Sequence, residues 1–301
     1  MTIRNPKIDT VKGVGICLVV LGHVLYKYLP NANNNILIHY IYLFHMPLFM
    51  FISGFLAYGK EVNLQKKFFS LVIPFIVWYQ ISYLILIYFG HPHTDYFAYL
   101  LELYYSAEQG LWFLWILFLN FILLKQVKKY INFTTPYINI VMLFCVNILL
   151  QFIPYDYFGI NLLKSYFLYF AVGYLISHYS IHLPKSNFLK TIVALSFIFL
   201  GSYHVFAQLP SWISEYLLAF LGIGTTFAIV TWLPKNISSA LALLGTYTME
   251  VYVIHQMVIW GFGTGIWQII SATIITICTS LAIAYFVKKS HLLNRVFFGS
   301  R

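Results

Sequence analysis

Charge is what this 301-residue chain has least of: 9% of its residues are charged and only 8 are acidic. Soluble domains carry about 25% charged residues, so a soluble enzyme or a soluble binding module is excluded. Cysteine is scarce too. Cys17, Cys145 and Cys278 each sit inside an apolar run, which leaves neither a disulfide framework nor a metal-ligand spacing. No CxxC, HExxH, Walker-type or GxGxxG pattern stands where its chemistry would be supported. The first apolar run follows Arg4, Lys7 and Lys12, but no small-residue cleavage site comes after it; a retained helix is expected rather than a signal peptide. There is no internal repeat, no low-complexity stretch and no soluble catalytic domain, so the activity is expected in or beside a bilayer.

What is present is apolar and aromatic: 61% hydrophobic, 20% aromatic, mean hydropathy +0.80. Apolar runs of membrane length recur from end to end, which predicts an all-α polytopic integral membrane protein. Hydropathy breaks predict a single transmembrane domain over residues 1–301 with about ten spans: 10–29, 36–58, 69–90, 108–124, 136–153, 162–178, 190–208, 212–232, 240–262 and 265–287. An even count puts both termini on one side. That side collects Arg4, Lys7, Lys12, Lys60, Lys66, Lys67, Lys125, Lys128, Lys129, Lys185, Lys190, Lys235, Lys288, Lys289, Arg295 and Arg301, leaving only Lys27 and Lys164 of the 18 basic residues outside it. By the positive-inside rule it is the cytoplasm of a bacterial-type plasma membrane. Asp95, Glu102, Glu108, Asp156 and Glu215 fall in the opposite loops. The net charge of +10 is thereby explained by topology and anionic lipid, and no nucleic-acid partner is expected. Residues 96–110 are too polar to span and are expected as an amphipathic element on the outer surface.

Position converts to depth at about 1.5 Å per residue. Lys12 and His23 are separated by ten residues on the first span, so at about 100° per residue they share one helix face, roughly 16 Å apart. His23 then lies roughly 9 Å below the outer surface, His45 of the second span roughly 12 Å, and His255 of the ninth roughly 10 Å. Three histidines from three helices at one level, with Glu250 deeper, define the candidate chemical centre. A single intramembrane His is usually a hydrogen-bonded core residue. Three at one level are better suited to proton transfer at physiological pH. A metal would need convergence with an open position, and none is expected. Gly15 and Gly22 form a small-residue stripe for close helix packing or for close approach of a ligand chain. Asp9 stands one turn before Lys12, placed to cap or to pair with it. Ser53 has no base at nucleophile-elbow spacing, Trp112 and Trp115 fit an interfacial aromatic belt, and His91, His93 and His204 have no evident partner. From periodicity and charge alone, an enzyme and a secondary transporter or non-enzymatic glycan or lipid carrier stand equally open.

Five blocks, in order, resemble acyltransferase family 3. They are Ile8-Asp9-x-x-Lys12-Gly13 leading to Gly22-His23, then Phe44-His-Met-Pro-Leu-Phe-Met-Phe-Ile-Ser-Gly-Phe55, Ile73-Pro-Phe, Leu111-Trp-Phe-Leu114, and Gly245-Thr-Tyr-Thr-Met-Glu-Val-Tyr-Val-Ile-His255. The resemblance covers essentially the whole chain and is closest to the compact branch without an appended extracellular domain, near sugar O-acetylases such as fucose acetylases. It implies an acetyl-CoA-dependent O-acetyltransferase acting on an extracytoplasmic glycan or lipid-linked sugar; a homo-oligomer is compatible with it. In that family an Arg or Lys precedes an essential His, with ten residues between; Lys12 and His23 occupy those places. Lys12 departs from the Arg of many members, offering a point charge instead of a bidentate fork.

The resemblance therefore implies Lys12, with Asp9, Lys66 and Lys67, at the coenzyme A phosphates, and the pantetheine arm passing Gly15 and Gly22. His23 is implied as general base. His255, Tyr252 or His45 are implied to orient it or to donate to the oxyanion. A covalent acyl-His relay is the second route.

Overall fold

The computed structural model describes residues 5–88, 95–105, 111–130, 135–155, 157–181, 186–207, 212–261 and 263–299. Arg4, His91, His93, Glu108, Asp156, Lys185 and Arg301 lie outside the described residues. Helix is the only regular structure among those described. In chain order the helices are α1 (Pro6–Tyr28), α2 (Ile36–Ala57), α3 (Leu64–Lys67), α4 (Ile73–Tyr88), α5 (Tyr96–Tyr105), α6 (Trp112–Tyr130) and α7 (Pro136–Gln151). Next come α8 (Ile160–His178), α9 (Asn187–Ala207), α10 (Trp212–Trp232), α11 (Lys235–Gly245), α12 (Thr248–Ile254), α13 (Ile266–Lys288) and α14 (His291–Phe298).

Six helical stretches among the described residues are long and apolar enough to cross a membrane: Pro6–Tyr28, Ile36–Ala57, Leu64–Tyr88, Tyr157–His178, Ser214–Trp232 and Ile266–Lys288. The chain is a multi-pass, all-helical membrane protein. Helices α6, α7 and α9 occupy three further expected spans. The expected ninth span, 240–262, is not one helix: Lys235–Gly245 and Thr248–Val258 meet at a bend of 63° and would make a seventh crossing if counted as one. The break falls at Gly245-Thr246-Tyr247, where Gly costs about 1 kcal/mol relative to Ala inside a helix.

Two compact units divide the chain, one of residues 1–49 and 182–285, the other of residues 50–181 and 286–301. In lipid, helices gain little by hiding apolar surface from one another and associate by close packing instead. The first unit shows this at three places. A Cβ on Gly13 would meet the carbonyl of Leu241, and one on Gly245 the carbonyl of Asp9, so α1 and α11 touch backbone to backbone. A Cβ on Gly15 would meet Phe49 and Leu48, and one on Gly22 would meet Ile41 and Tyr42, which seats α1 on α2. Gly222 of α10 accepts the Phe44 ring of α2 in the same way. The Tyr40 hydroxyl donates to the carbonyl of Ile198 and lies 2.8 Å from the Ser202 hydroxyl, fixing α2 against α9.

The second unit uses the same device. Gly54 faces the Phe170 carbonyl, and Gly173 faces that of Phe51. Helix α5 lies on α4 through stacked Tyr79 and Tyr99, 4.3 Å between ring centroids, whose hydroxyls each donate to the other's carbonyl oxygen at 2.6 and 3.2 Å. Helix α14 is held on α4 where Trp78 Nε1 donates to the Phe297 carbonyl at 2.8 Å.

Candidate active site

Helix α1 starts at Pro6, pre-set for the first helical position, with the Asn5 side chain accepting from Lys7 N at 3.0 Å. One turn on, the Lys12 ammonium and the Asp9 carboxylate pair at 2.6 Å. Toward the far end of the same helix His23 is partly exposed. Three groups meet its ring. The Tyr42 hydroxyl oxygen lies 3.4 Å from Nδ1, the Gln256 amide nitrogen lies 3.4 Å from Nε2, and the His255 ring stands 5.2 Å away at 48°. Tyr42 also packs edge-on against His45, 4.9 Å between centroids. The first unit thus brings His23, His45 and His255 into one cluster, with Tyr42 between the first two.

The backbone decides how two of these rings carry their hydrogens. Nδ1 of His45 lies 2.7 Å from the Ile41 carbonyl oxygen, one turn back on α2. Nδ1 of His255 lies 2.7 Å from the Tyr252 oxygen and 3.1 Å from that of Val251. Both carbonyls lie in the last turn of α12, where that of Val251 also accepts from the His255 backbone N–H, and the chain tightens into a 3₁₀ turn at His255–Val258. A carbonyl only accepts, so in the neutral ring Nδ1 holds the hydrogen and Nε2 the lone pair. Both rings are buried, His45 at 4% and His255 at 0% exposure. With the amide nitrogen of Gln256 toward it, Nε2 of His23 is likewise an acceptor. All three imidazoles present Nε2 as a lone pair, and only His23 is open to an incoming molecule.

This geometry corrects one expectation: in these tautomers neither His45 nor His255 can donate from Nε2 to an oxyanion. The glycine stripe shows the first of its two expected uses: Gly15 and Gly22 pack closely against Phe49, Leu48, Ile41 and Tyr42 of α2. Tyr252 is buried at 9% exposure with its ring 6.0 Å from His255, and Glu250 is buried in the first turn of α12. Ser53, Trp112, Lys66 and Lys67 belong to the second unit. There Trp112 packs 4.9 Å from Tyr166, and the Lys67 ammonium sits 3.7 Å from the centroid of Phe121. His204 has a partner after all, Nδ1 lying 3.2 Å from the Ser214 hydroxyl. Among the described residues no group of three or more His, Cys, Asp or Glu is arranged to hold a metal ion.

Sequence reasoning missed Tyr42 and Gln256. Both were within reach of it: Tyr42 is three residues before His45, hence on the same helix face, and Gln256 adjoins His255.

Residues 5–289 match the acyltransferase domain family known as acyltransferase 3, and the chain belongs to that family. Two proteins named nodulation protein NolL are similar to it. The one from Sinorhizobium fredii (strain NBRC 101917 / NGR234) is 32% identical over 185 residues, 58% of this chain and 49% of that protein. The one from Mesorhizobium japonicum (strain LMG 29417 / CECT 9101 / MAFF 303099) is 28% identical over 184 residues, 58% and 48% of the respective chains. The chain spans about half the length of the curated relatives it matches. No solved structure matches it.

Proposed function

We propose that this protein is a transmembrane O-acyltransferase that moves an acetyl group from cytoplasmic acetyl-CoA to a hydroxyl of a cell-surface or lipid-linked glycan. The single observation that carries the reading is His23. It is the one reachable imidazole of a cluster of three, and its Nε2 is set to accept a proton in a chain of the acyltransferase 3 family. The acceptor hydroxyl displaces the long Gln256 contact and loses its proton to Nε2 of His23 as its oxygen attacks the thioester carbonyl carbon. The C–S bond then breaks, and the coenzyme A thiolate takes the proton back from His23. The hydroxyl of Tyr42 and the amide of Gln256 are the donors beside His23, and they are assigned to the oxyanion. Lys12, held by Asp9 toward the other end of α1, supplies a point charge for the donor's phosphates.

The charge asymmetry supports the reading of ten spans in a bacterial-type plasma membrane with both termini cytoplasmic; in that orientation Lys12 faces the donor side and His23 the acceptor side. The bend between α11 and α12 is the one feature that favours a carrier, since broken helices line transporter sites.

Purified protein in oriented vesicles tests the reading. Acetyl-CoA supplied on the side of the termini should release free thiol and add one acetyl mass to a glycan on the other side. His23→Ala should lower this by about 10²–10⁴-fold while thermal unfolding stays unchanged. Wild-type transfer with full activity in His23→Ala would remove His23 from the chemistry. Solute uptake without thiol release would establish the carrier instead.

A further inference from the structure

The face of α1 that carries His23 continues through Tyr26 and Lys27 toward the end of the helix at Tyr28, because residues three and four apart are neighbours on a helix. Tyr26 is 51% exposed. Its ring stands 6.3 Å from that of Tyr42, with 37° between the planes, and the Tyr42 hydroxyl oxygen lies 3.4 Å from Nδ1 of His23. Tyr42 is itself 37% exposed. The Lys27 ammonium donates to the carbonyl of Ile259 at 3.4 Å. All these residues belong to the first unit. The open imidazole is thus bordered by two aromatic rings with exposed surface, and a hydrogen-bond donor stands next to Tyr26 on the same face.

Exposed tyrosines near the ends of membrane helices usually form an interfacial belt, and Tyr203 of α9, 56% exposed, fits that description. A belt has no need of rings that lead to a base, and Tyr26 and Tyr42 lead to His23. The rise from His23 to Tyr26 is roughly 4.5 Å, about the width of one sugar ring. A pyranose carries its hydroxyls along its edge and C–H groups on its faces, where the hydrogens are slightly positive because the carbons bear oxygen. The face of a tyrosine ring is negative and attracts them. Tyrosine offers that contact with only two side-chain torsions to order, and aromatic walls with a few placed polar groups are the usual lining of a small-molecule site. An acyclic alcohol has no such face to lay down. We propose that Tyr26, with the Tyr42 ring beside it, is the platform on which one pyranose ring of the acceptor lies by its C–H face, so that an edge hydroxyl reaches His23. Lys27 then stands at the rim as a donor to the other hydroxyls. Transfer from this platform rests on the acyltransferase reading, whereas binding of the sugar ring does not.

The probes are the methyl glycosides of D-glucose, D-galactose and L-fucose, with the full chain held in lipid nanodiscs so that no sugar-headed detergent competes. Saturation-transfer NMR on the wild-type protein should mark the C–H protons of one ring face in at least one of them. Tyr26→Leu keeps apolar bulk without an aromatic face, and Tyr26→Phe keeps the face without the hydroxyl. The expected result is a KM for the bound glycoside raised about 10-fold in Tyr26→Leu, with kcat and KM for acetyl-CoA unchanged. Tyr26→Phe and the belt control Tyr203→Ala should behave as wild type, and thermal unfolding identifies which variants are folded. Saturation confined to the methyl group, or none for any of the three glycosides, overturns the proposal without recourse to a variant. An unchanged KM in Tyr26→Leu, or an equal rise in Tyr26→Phe or in Tyr203→Ala, overturns it as well. Face-specific saturation that is lost in Tyr26→Leu, in a wild-type protein that releases no thiol from acetyl-CoA, upholds the platform and overturns the acyltransferase reading.

Discussion

The ammonium of Lys12 lies 2.6 Å from the carboxylate of Asp9, one turn earlier on α1. Lys12 is therefore a held cation, its side chain 22% exposed and that of Asp9 8%. One of its three N–H donors is committed to Asp9, and the others suit an anion that approaches as a third partner.

Lys12→Ala should raise KM for acetyl-CoA with little change in kcat. A charge-assisted hydrogen bond contributes about 1.5–3 kcal/mol, which is roughly a 10- to 100-fold rise. Asp9→Asn should raise the same KM less, because the ammonium remains but is no longer held. Steady-state kinetics with each substrate varied in turn check this. A change confined to KM for the glycan would take Lys12 out of donor binding.

Tyr42→Phe removes one hydroxyl and keeps the ring that packs on His45. The magnitude of the effect tells two roles apart. Loss of an oxyanion donor costs about 10²–10³-fold in kcat, whereas loss of an ordinary hydrogen bond of about 0.5–1.5 kcal/mol costs roughly tenfold or less. With the Tyr42 hydroxyl as oxyanion donor, the expected loss is at least about 10²-fold. A loss below about tenfold would leave Tyr42 orienting Nδ1 of His23 and no more.

Helical rise was enough to group His23, His45 and His255 from the sequence, because depth depends only on position within a span. The hydrogen-bonding roles of those rings were not legible. They depend on which way each ring turns toward the Ile41, Val251 and Tyr252 carbonyls, and the tightening at His255–Val258 carries no Pro or Gly to signal it. The bend after Gly245 was hidden for a similar reason, since one Gly in an apolar run is ordinary in a membrane helix. The glycine stripe was legible as small residues and ambiguous in use. Its packing use becomes visible only with the placement of Phe49 and Tyr42 against it. Among the descriptions of the fold, the apolar helical character came through most directly, because 61% hydrophobic residues in membrane-length runs leave few alternatives.

The two kinds of glycine contact on α1 predict an order of damage. A methyl group on Gly245 meets the Asp9 carbonyl and the backbone nitrogen of Gly13, and a methyl on Gly13 meets the Leu241 carbonyl. Backbone cannot step aside without moving a helix. A methyl on Gly15 meets the far edge of the Phe49 ring, which can tilt away. Overpacking costs about 1–3 kcal/mol, so Gly245→Ala and Gly13→Ala belong at or above the top of that range and Gly15→Ala near its bottom. Thermal unfolding of the detergent-solubilised variants should rank them in that order. Gly245→Ala should also raise KM for acetyl-CoA in any protein that survives, because separating α11 from α1 shifts the turn that carries Asp9 and Lys12. If Gly15→Ala proves as damaging as Gly245→Ala, the approach of α1 to α11 is not the tighter joint, and the link from that joint to Lys12 fails with it.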